Sequence, residues 1–186
     1  SGVVFPRMSG YNSAGIVVKK GADVKSVEVG DRVVVYWGCH KDYNVVPENQ
    51  VVKIEDDSIS FQTAAMSFIS TFPMAAIRKT RLEMGESAIV MGLGILGMLA
   101  IKELRAAGAV PIIAADPNPT RREMALNNGA DYAFDPFDPD FAEKVKAVTD
   151  GGVNAAIEVT GQGAGLNETL DCMARFGRVA LLGCTR

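Results

Sequence analysis

The chain contains 186 residues, 48% of them hydrophobic and 22% charged, with a formal net charge of −3. This length can bury a sizeable core, and the composition is typical of a globular protein. The charge gives no reason to expect nucleic acid or an anionic membrane as a partner. The apolar run 88–101 contains three glycines and is shorter than the roughly 20 residues of a membrane-spanning helix.

Cysteine usage indicates the compartment. The three cysteines, at positions 39, 172 and 184, are widely spaced and odd in number. This pattern fits a reducing compartment better than a disulfide scaffold. Because no signal peptide opens the chain, we expect a cytoplasmic protein.

Residues 1–58 predict a small β-rich domain. Short β-branched runs lie at 16–18 and 32–36, with turn residues between them, and two more short strands are predicted around Pro47. The spacing indicates a small barrel or sandwich without crossover helices. Residues 59–84 are rich in Ala and Met and predict a helical connector that is kinked or divided at Pro73.

Residues 85–186 alternate predicted strands with predicted helices. The strands are expected at 88–91, 111–115, 132–134, 154–159 and 178–182. Helices are expected between them, and one of these has Asn118 as its N-cap and Pro119 at its first position. The alternation predicts an α/β fold with a doubly wound parallel sheet of the Rossmann type.

A glycine motif connects the first of these strands to its helix. It matches the pattern GxGxxG and consists of Gly92, Leu93, Gly94, Ile95, Leu96 and Gly97. The first glycine permits a tight turn, the second lets the backbone approach a pyrophosphate, and the third lets the helix lie close to the sheet. The following helix offers free N–H groups to the phosphates. The alternative is a glycine-rich turn without a ligand.

An acidic residue ends the next predicted strand, as a dinucleotide site requires. Asp116 is placed to accept hydrogen bonds from the ribose hydroxyls, and its charge would repel a 2′-phosphate, so we expect NAD rather than NADP. Pro117 and Arg121 follow it in the predicted site. Arg121 and its neighbour Arg122 are alternatively contacts to a 2′-phosphate or solvated helix residues.

The crevice of such a sheet opens where the first and fourth strands lie side by side. Thr160 and Gly161 follow the fourth strand, and Gly183 follows the fifth. We therefore predict that all three contact the cofactor. The alternative for each is a simple turn that ends a strand.

Several segments together resemble the medium-chain dehydrogenases/reductases, the zinc-type alcohol dehydrogenase superfamily. They are GYNSAGIVVKKGADVKSVEVGDRVVVY, YNVVPENQVVKI, GLGILG, AADP and GRVALLG, in the order found in that family. The resemblance implies part of a GroES-like catalytic domain joined to a Rossmann domain, with hydride transfer to or from nicotinamide in the cleft between them. It also implies that the chain is incomplete at both ends, inactive alone, and part of a homo-oligomer.

The zinc sites of the family are not matched. The resemblance implies a His and sometimes a Glu ligand where Tyr11 and Asn12 stand, and a cysteine within the segment occupied by residues 67–70. Tyr and Asn are poor zinc ligands. The short stretch 36–42 replaces the expected four-cysteine lobe. We therefore predict no metal site, and the closer resemblance is to a zinc-lacking branch that includes bacteriochlorophyllide-type dehydrogenases.

Without zinc, another group must polarise the carbonyl or supply a proton. His40 is the only histidine, and the ordinary pKa of imidazole suits proton transfer near neutrality. Tyr11 is the second candidate catalytic residue, because of its place in the family motif. The alternatives are a turn histidine and a buried tyrosine whose hydroxyl is already hydrogen-bonded.

The sequence predicts an NAD-dependent oxidoreductase that acts on a small or medium carbonyl compound, alcohol or activated alkene without catalytic zinc. Two other functions stay open. One is a zinc-dependent alcohol or polyol dehydrogenase whose ligands lie in the missing segments. The other is a non-catalytic dinucleotide-binding protein, since a fold alone does not determine function.

Overall fold

A computed structural model describes residues 10–184 of the chain. The contacts divide the molecule into an amino-terminal unit that ends at Ile69 and a carboxyl-terminal unit that begins at Ser70. The three-part division predicted above, at 58/59 and 84/85, stays a prediction. Within residues 10–184, no helix combines the length and the apolar character needed to cross a membrane.

The amino-terminal unit is built on a three-stranded antiparallel sheet in the order β1-β2-β3. The strands are β1 (Asn12–Ile16), β2 (Arg32–Tyr36) and β3 (Val51–Lys53), and a short helix, α1 (Phe61–Ala65), follows them. The Oγ of Ser60 accepts a hydrogen bond from the backbone N–H of Thr63, which caps α1. Val34, Ile54 and Ala64 form a small core between sheet and helix.

Two strand predictions for this unit were wrong in part. The first strand ends at Ile16 instead of spanning 16–18, because its pairing with β2 runs only as far as Arg32. Only one strand, β3, lies near Pro47, and a 3₁₀ turn, Glu48–Gln50, lies between Pro47 and this strand. Tyr43 and Val45 are exposed, so the segment before Pro47 buries little of the apolar surface that would hold it in a sheet.

The helical connector is present, but its break lies elsewhere than predicted. The break falls at Met66, between α1 and α2 (Ser67–Thr80), and Pro73 lies inside α2. The predicted division into two helices at Pro73 was therefore wrong, and the alternative of a kink there stays a prediction. Proline removes one backbone donor from a helix, but Pro73 is buried here, and packing outweighs the local preference.

The carboxyl-terminal unit contains five strands that are parallel wherever they pair, in the order β6-β5-β4-β7-β8. The strands are β4 (Ala88–Met91), β5 (Ile112–Ala115), β6 (Tyr132–Phe134), β7 (Val153–Glu158) and β8 (Met173–Leu181). Four helices alternate with them: α3 (Ile95–Ala106), α4 (Pro119–Asn127), α5 (Phe141–Val148) and α6 (Gly163–Asp171). The predicted doubly wound sheet is confirmed, as is the cap of α4 by Asn118.

Helices cover both faces of this sheet. Alternate residues of β4 point to opposite sides, with Ala88 and Val90 in one apolar cluster and Ile89 and Met91 in the other. The first cluster includes residues of α2, α3 and α4, and the second includes Phe141 and residues near it in α5. Because both faces are buried, the central strands are continuously apolar. The ligand-accessible part of such a sheet is therefore its carboxyl edge.

Candidate nucleotide-binding site

The turn after β4 can be formed only with glycine at two positions. Gly92 has φ +97°, and a β-carbon there would lie 2.9 Å from Cγ2 of Thr160. A β-carbon on Gly97 would clash with the carbonyl oxygen of Gly92. The first glycine permits the left-handed backbone, and the third brings α3 against the turn.

The middle of the motif is open. A β-carbon on Gly94 would meet no atom within 4 Å, and the side chain of Ile95 points largely into solvent. No side chain of the described residues caps α3 at Gly94. The amino end of α3 therefore presents uncapped N–H groups and its positive dipole end to an open space, which is the arrangement that binds a diphosphate.

Other motif residues support this turn. Leu93 is buried and belongs to the apolar cluster that contains α3, whereas Leu96 is half-buried. The backbone N–H of Leu93 does not face the open space, because it donates to Oδ2 of Asp116 at 2.8 Å. The glycine turn and the end of β5 are thus connected directly.

Asp116 is almost fully buried, with 4% of its surface exposed. Its Oδ1 accepts a hydrogen bond from the N–H of Asn118 at 2.8 Å, and its Oδ2 accepts the bond from Leu93. Each carboxylate oxygen can accept a second hydrogen bond. The carboxylate is therefore held beside the turn and retains acceptor capacity for ribose hydroxyls.

The residues after Asp116 differ in their roles. Arg122 donates to the carbonyl oxygen of Asp116 at 2.7 Å and pairs with Asp135 at 3.1 Å, so it holds the start of α4 in place. Arg121 lies 3.5 Å from Oδ2 of Asp116, and its side chain is 52% exposed. Pro117 is exposed on the same segment. Arg121 is consequently the basic group at this position that can move toward a ligand.

The loops after β7 and β8 meet beside the glycine turn. A β-carbon on Gly183 would clash with the N–H of Gly161, and one on Gly161 would clash with the carbonyl oxygen of Cys184. Thr160 packs on Gly92, as described above. The structure thus brings Thr160, Gly161 and Gly183 to the same end of the sheet as the glycine motif, as the sequence predicts.

One buried residue at this edge was missed by the sequence analysis. Glu158 ends β7, pairs with Met91 in the sheet, and is 2% exposed. Its carboxylate accepts hydrogen bonds from the N–H and Oγ1 of Thr160 and from the N–H of Gly161. A charged residue at the end of the apolar run 155–157 was the available signal, because acids are rarely buried without a partner.

The two candidate catalytic residues lie together in the amino-terminal unit. The ring of Tyr11 stacks on Trp37 with centroids 5.2 Å apart, and its carbonyl oxygen accepts a hydrogen bond from Gly38 at 2.9 Å. The imidazole of His40 lies directly against Gly10, and the residue is exposed. Both side chains therefore flank the same end of the β1–β2 pair.

The zinc sites implied by the family do not fit the described residues. Within residues 10–184, no three His, Cys, Asp or Glu side chains are close enough together to hold a metal ion. Cys39 and Asn44 exchange two hydrogen bonds across a tight turn, at 2.8 and 2.9 Å, where a longer lobe was expected. Asn12 stands at the predicted ligand position, with its Oδ1 buried and lacking a partner in the described part of the chain.

Two family profiles match the sequence. "Alcohol dehydrogenase GroES-like domain" matches residues 1–56, and "Zinc-binding dehydrogenase" matches residues 96–186. These matches cover most of both units.

Named relatives agree with the two profiles. L-threonine 3-dehydrogenase of Pyrococcus abyssi is 31% identical over 206 residues, covering 96% of this chain and 59% of that enzyme. Sorbitol dehydrogenase of Bacillus subtilis is 30% identical over 208 residues, again covering 96% of this chain and 59% of the relative. The crystal structure of 2R,3R-butanediol dehydrogenase from Bacillus subtilis is 30% identical with a TM-score of 0.77, covering 89% of this chain and 55% of that one.

The chain thus spans 59% of the length of these two curated relatives. The profile matches follow the same order as the antiparallel sheet and the parallel sheet of the structure. The second match begins at Leu96, inside the glycine motif at the amino end of α3. The chain belongs to the medium-chain dehydrogenase/reductase superfamily.

Proposed function

We propose that this protein is an NAD-preferring oxidoreductase that transfers a hydride between nicotinamide and a small or medium carbonyl compound, alcohol or activated alkene. One observation carries the proposal: an open glycine turn with uncapped helix amides lies beside a buried acid, Asp116. NAD, when bound, supplies the hydride acceptor. The residues of this chain bind and orient it.

The preference for NAD rests on the charge of Asp116. A 2′-phosphate at the ribose would face this carboxylate, and nearby like charges repel strongly where water is excluded. Arg121 is the counter-argument, because its mobile guanidinium offers a phosphate partner. The carboxylate is fixed by two backbone amides whereas the arginine is half exposed, so we expect the acid to dominate.

The substrate side is proposed from the amino-terminal unit and the relatives. Threonine, sorbitol and butanediol, the substrates named for the relatives, all carry hydroxyl groups. Tyr11 and His40 flank one end of the same sheet, and we propose them as the groups that hold or transfer a proton. A Tyr11→Phe or His40→Gln variant should lower kcat at least tenfold and change the NADH dissociation constant less than twofold.

We further propose that the full-length protein works without a catalytic zinc. The alignment with the threonine dehydrogenase spans 206 residues although this chain has 186, so the relative has at least 20 residues in the matched region that this chain does not. The profile name "Zinc-binding dehydrogenase" favours the zinc-dependent alternative. Metal analysis of the full-length protein decides between them, because one tightly held zinc per chain would contradict the proposal.

Fluorescence titration of the full-length protein tests the cofactor. Added NADH should show enhanced, blue-shifted emission, and NADPH should bind at least tenfold more weakly. Equal binding of both would contradict the NAD preference, and binding of neither would contradict the whole proposal. Turnover of a panel of alcohols, ketones, aldehydes and enones then excludes the non-catalytic alternative, which predicts binding without reaction.

A further inference from the structure

We propose that Glu158 is a positioning residue that holds the loops after β7 and β8 in the form that receives the nicotinamide half of the cofactor. The inference rests on the proposed dinucleotide site. In this proposal a buried acid controls the shape of one half of the site and need not touch the cofactor.

The side chain of Glu158 accepts three hydrogen bonds from the loop that follows it. Its Oε1 accepts the N–H of Thr160 at 2.7 Å and the hydroxyl of the same residue, and its Oε2 accepts the N–H of Gly161 at 3.3 Å. Hydrogen bonds to a charged acceptor are stronger than neutral ones. The first turn after β7 is therefore folded back onto the end of its own strand.

The main chain of Glu158 holds the second loop. Its carbonyl oxygen accepts the N–H of Leu182 at 2.8 Å and the N–H of Gly183 at 2.9 Å. Gly183 in turn lies so close to the backbone of Gly161 that it has no room for a β-carbon, and a β-carbon on Gly161 would clash with the carbonyl oxygen of Cys184. One residue thus fixes both loops at the carboxyl edge, through its side chain on one and its backbone on the other.

Thr160 also packs against the glycine turn. A β-carbon on Gly92 would lie 2.9 Å from Cγ2 of Thr160, and one on Gly165 would lie 2.7 Å from its Oγ1. The hydroxyl of Thr160 also accepts the N–H of Gln162 at 3.0 Å. Thr160 is therefore packed between the phosphate turn and the first turn of α6, in an orientation that Glu158 sets.

The order of the strands shows which half of the cofactor is affected. Asp116 follows β5 on one side of β4, whereas Glu158 ends β7 on the other. With the pyrophosphate at the turn after β4, a dinucleotide that lies across the edge places its adenosine beside β5. Its nicotinamide then lies beside the loops after β7 and β8, which Glu158 holds.

Removing the carboxylate should release the loop after β7, including Gly161 on which Gly183 packs, without leaving a buried cation unpaired. Among the described residues, no Lys or Arg forms an ion pair with Glu158. The groups it binds are donors of Thr160 and Gly161, residues that are themselves partly exposed. Water can satisfy these donors after substitution, so the expected loss is in positioning.

The test compares NADH with ADP-ribose, which lacks the nicotinamide, by calorimetric titration of the full-length protein. In Glu158→Ala the dissociation constant for NADH should rise about tenfold, whereas that for ADP-ribose should change less than twofold. Glu158→Gln keeps an acceptor for Thr160 and should lose less. An equal loss for both ligands, or no loss for either, would overturn the proposal.

Three further variants keep the test decisive. Thr160→Val replaces the hydroxyl by a methyl group and should reproduce part of the selective loss of NADH affinity. Thr160→Ser keeps the hydroxyl and should bind NADH as tightly as the unsubstituted protein. Asn154→Ala is the matched control: on the same strand but at its other end, Asn154 accepts hydrogen bonds from Ser87 at 3.0 and 2.9 Å. It should lower the melting temperature and change neither dissociation constant. If the unsubstituted protein fails to bind ADP-ribose, the proposed function itself is wrong.

Discussion

The two edges of the five-stranded sheet use similar polar groups in different ways. At the amino edge, Arg178 forms two hydrogen bonds with Glu86, and Asn154 accepts from Ser87. At the carboxyl edge, Glu158 accepts from loop amides and a loop hydroxyl and is paired with no cation among the described residues. The amino edge is closed by side chains that bind one another, whereas the carboxyl edge holds loops around an open turn.

This difference separates stability from binding within one sheet. Side chains that bind one another at the amino edge contribute to the free energy of unfolding, because their hydrogen bonds break when the chain unfolds. Groups that order the loops before the ligand arrives contribute to affinity, because binding then carries a smaller entropy cost for ordering the site. Substitutions at the two edges should therefore change different measured quantities.

The largest effect is expected from the glycine turn, at the carboxyl edge. Gly97→Ala forces α3 away from the carbonyl oxygen of Gly92. Overpacking of this kind costs about 1–3 kcal/mol of stability, and the shifted turn should weaken NADH binding at least 100-fold. Fluorescence titration and urea denaturation of the same samples measure both quantities.

Gly94→Ala sharpens this prediction. A methyl group there meets only open space, and the backbone φ of −73° suits any residue. The free energy of unfolding should change by less than about 0.5 kcal/mol, while the NADH dissociation constant rises at least tenfold because the methyl group occupies the approach of the phosphates. Unchanged binding in this variant would show that no phosphate lies on the turn.

An intermediate effect is expected at the amino edge. Arg178 donates to Glu86 and to the carbonyl oxygens of Thr80 and Arg81. Arg178→Met should lower the free energy of unfolding by about 2 kcal/mol, because it leaves these partly buried acceptors unpaired. The NADH dissociation constant should change less than twofold. A larger change in binding would break the proposed separation of the two edges.

This ion pair should also give the variant a distinct pH dependence. The hydrogen bonds from Arg178 lower the pKa of Glu86 below its usual value. A lowered pKa in the folded state contributes stability that is present above the unfolded pKa, near 4.5, and is lost as the pH falls through the folded pKa. The stability difference between the unsubstituted protein and Arg178→Met should therefore be smaller at pH 3 than at pH 7.

The smallest effect is expected from Glu103, near the end of α3. Its Oε2 is buried without a partner in the described part of the chain, and burial raises its pKa to about 7 from the unfolded value of 4.5. For an acid with a raised pKa, stability is highest below the unfolded pKa and falls as the pH rises to about 7.

Glu103→Gln replaces the carboxyl group by a neutral amide of similar shape. It should raise the free energy of unfolding at pH 8 by about 1 kcal/mol, after allowing for solvent screening of this half-buried side chain. The gain should vanish near pH 4.5, where the natural acid is also neutral. Urea denaturation at the two pH values checks this, and a gain of equal size at both would show that burial of charge is not the cause.

Prediction from sequence succeeded where short-range sterics determine the bounds of a strand or helix. The bounds of β4 were predicted without error, because a buried parallel strand is a continuous apolar run and Gly92 ends it. Asn118 and Pro119 likewise mark the start of α4 by local capping. In the amino-terminal unit the strands are half exposed, so the apolar pattern is weaker and β1 was misplaced by several residues.

The helical connector shows the opposite case. Local preference predicts a kink or a division of the helix at Pro73, but tertiary packing of this buried residue keeps α2 continuous there. The family and the α/β fold followed from the sequence, and the profiles and the structure confirm both. The cofactor contacts and the two proton donors stay predictions.

The sequence by itself determined the order of strands and helices, the glycine motif and the acid that follows it, because each depends on backbone sterics and apolar periodicity over a few residues. Only the tertiary structure decided that Glu158 binds two loops and that both oxygens of Asp116 are engaged. It also placed His40 against Gly10. These contacts join segments that are distant in sequence and meet only when the strands align in the sheet. A pattern over a few residues cannot predict which groups then face each other.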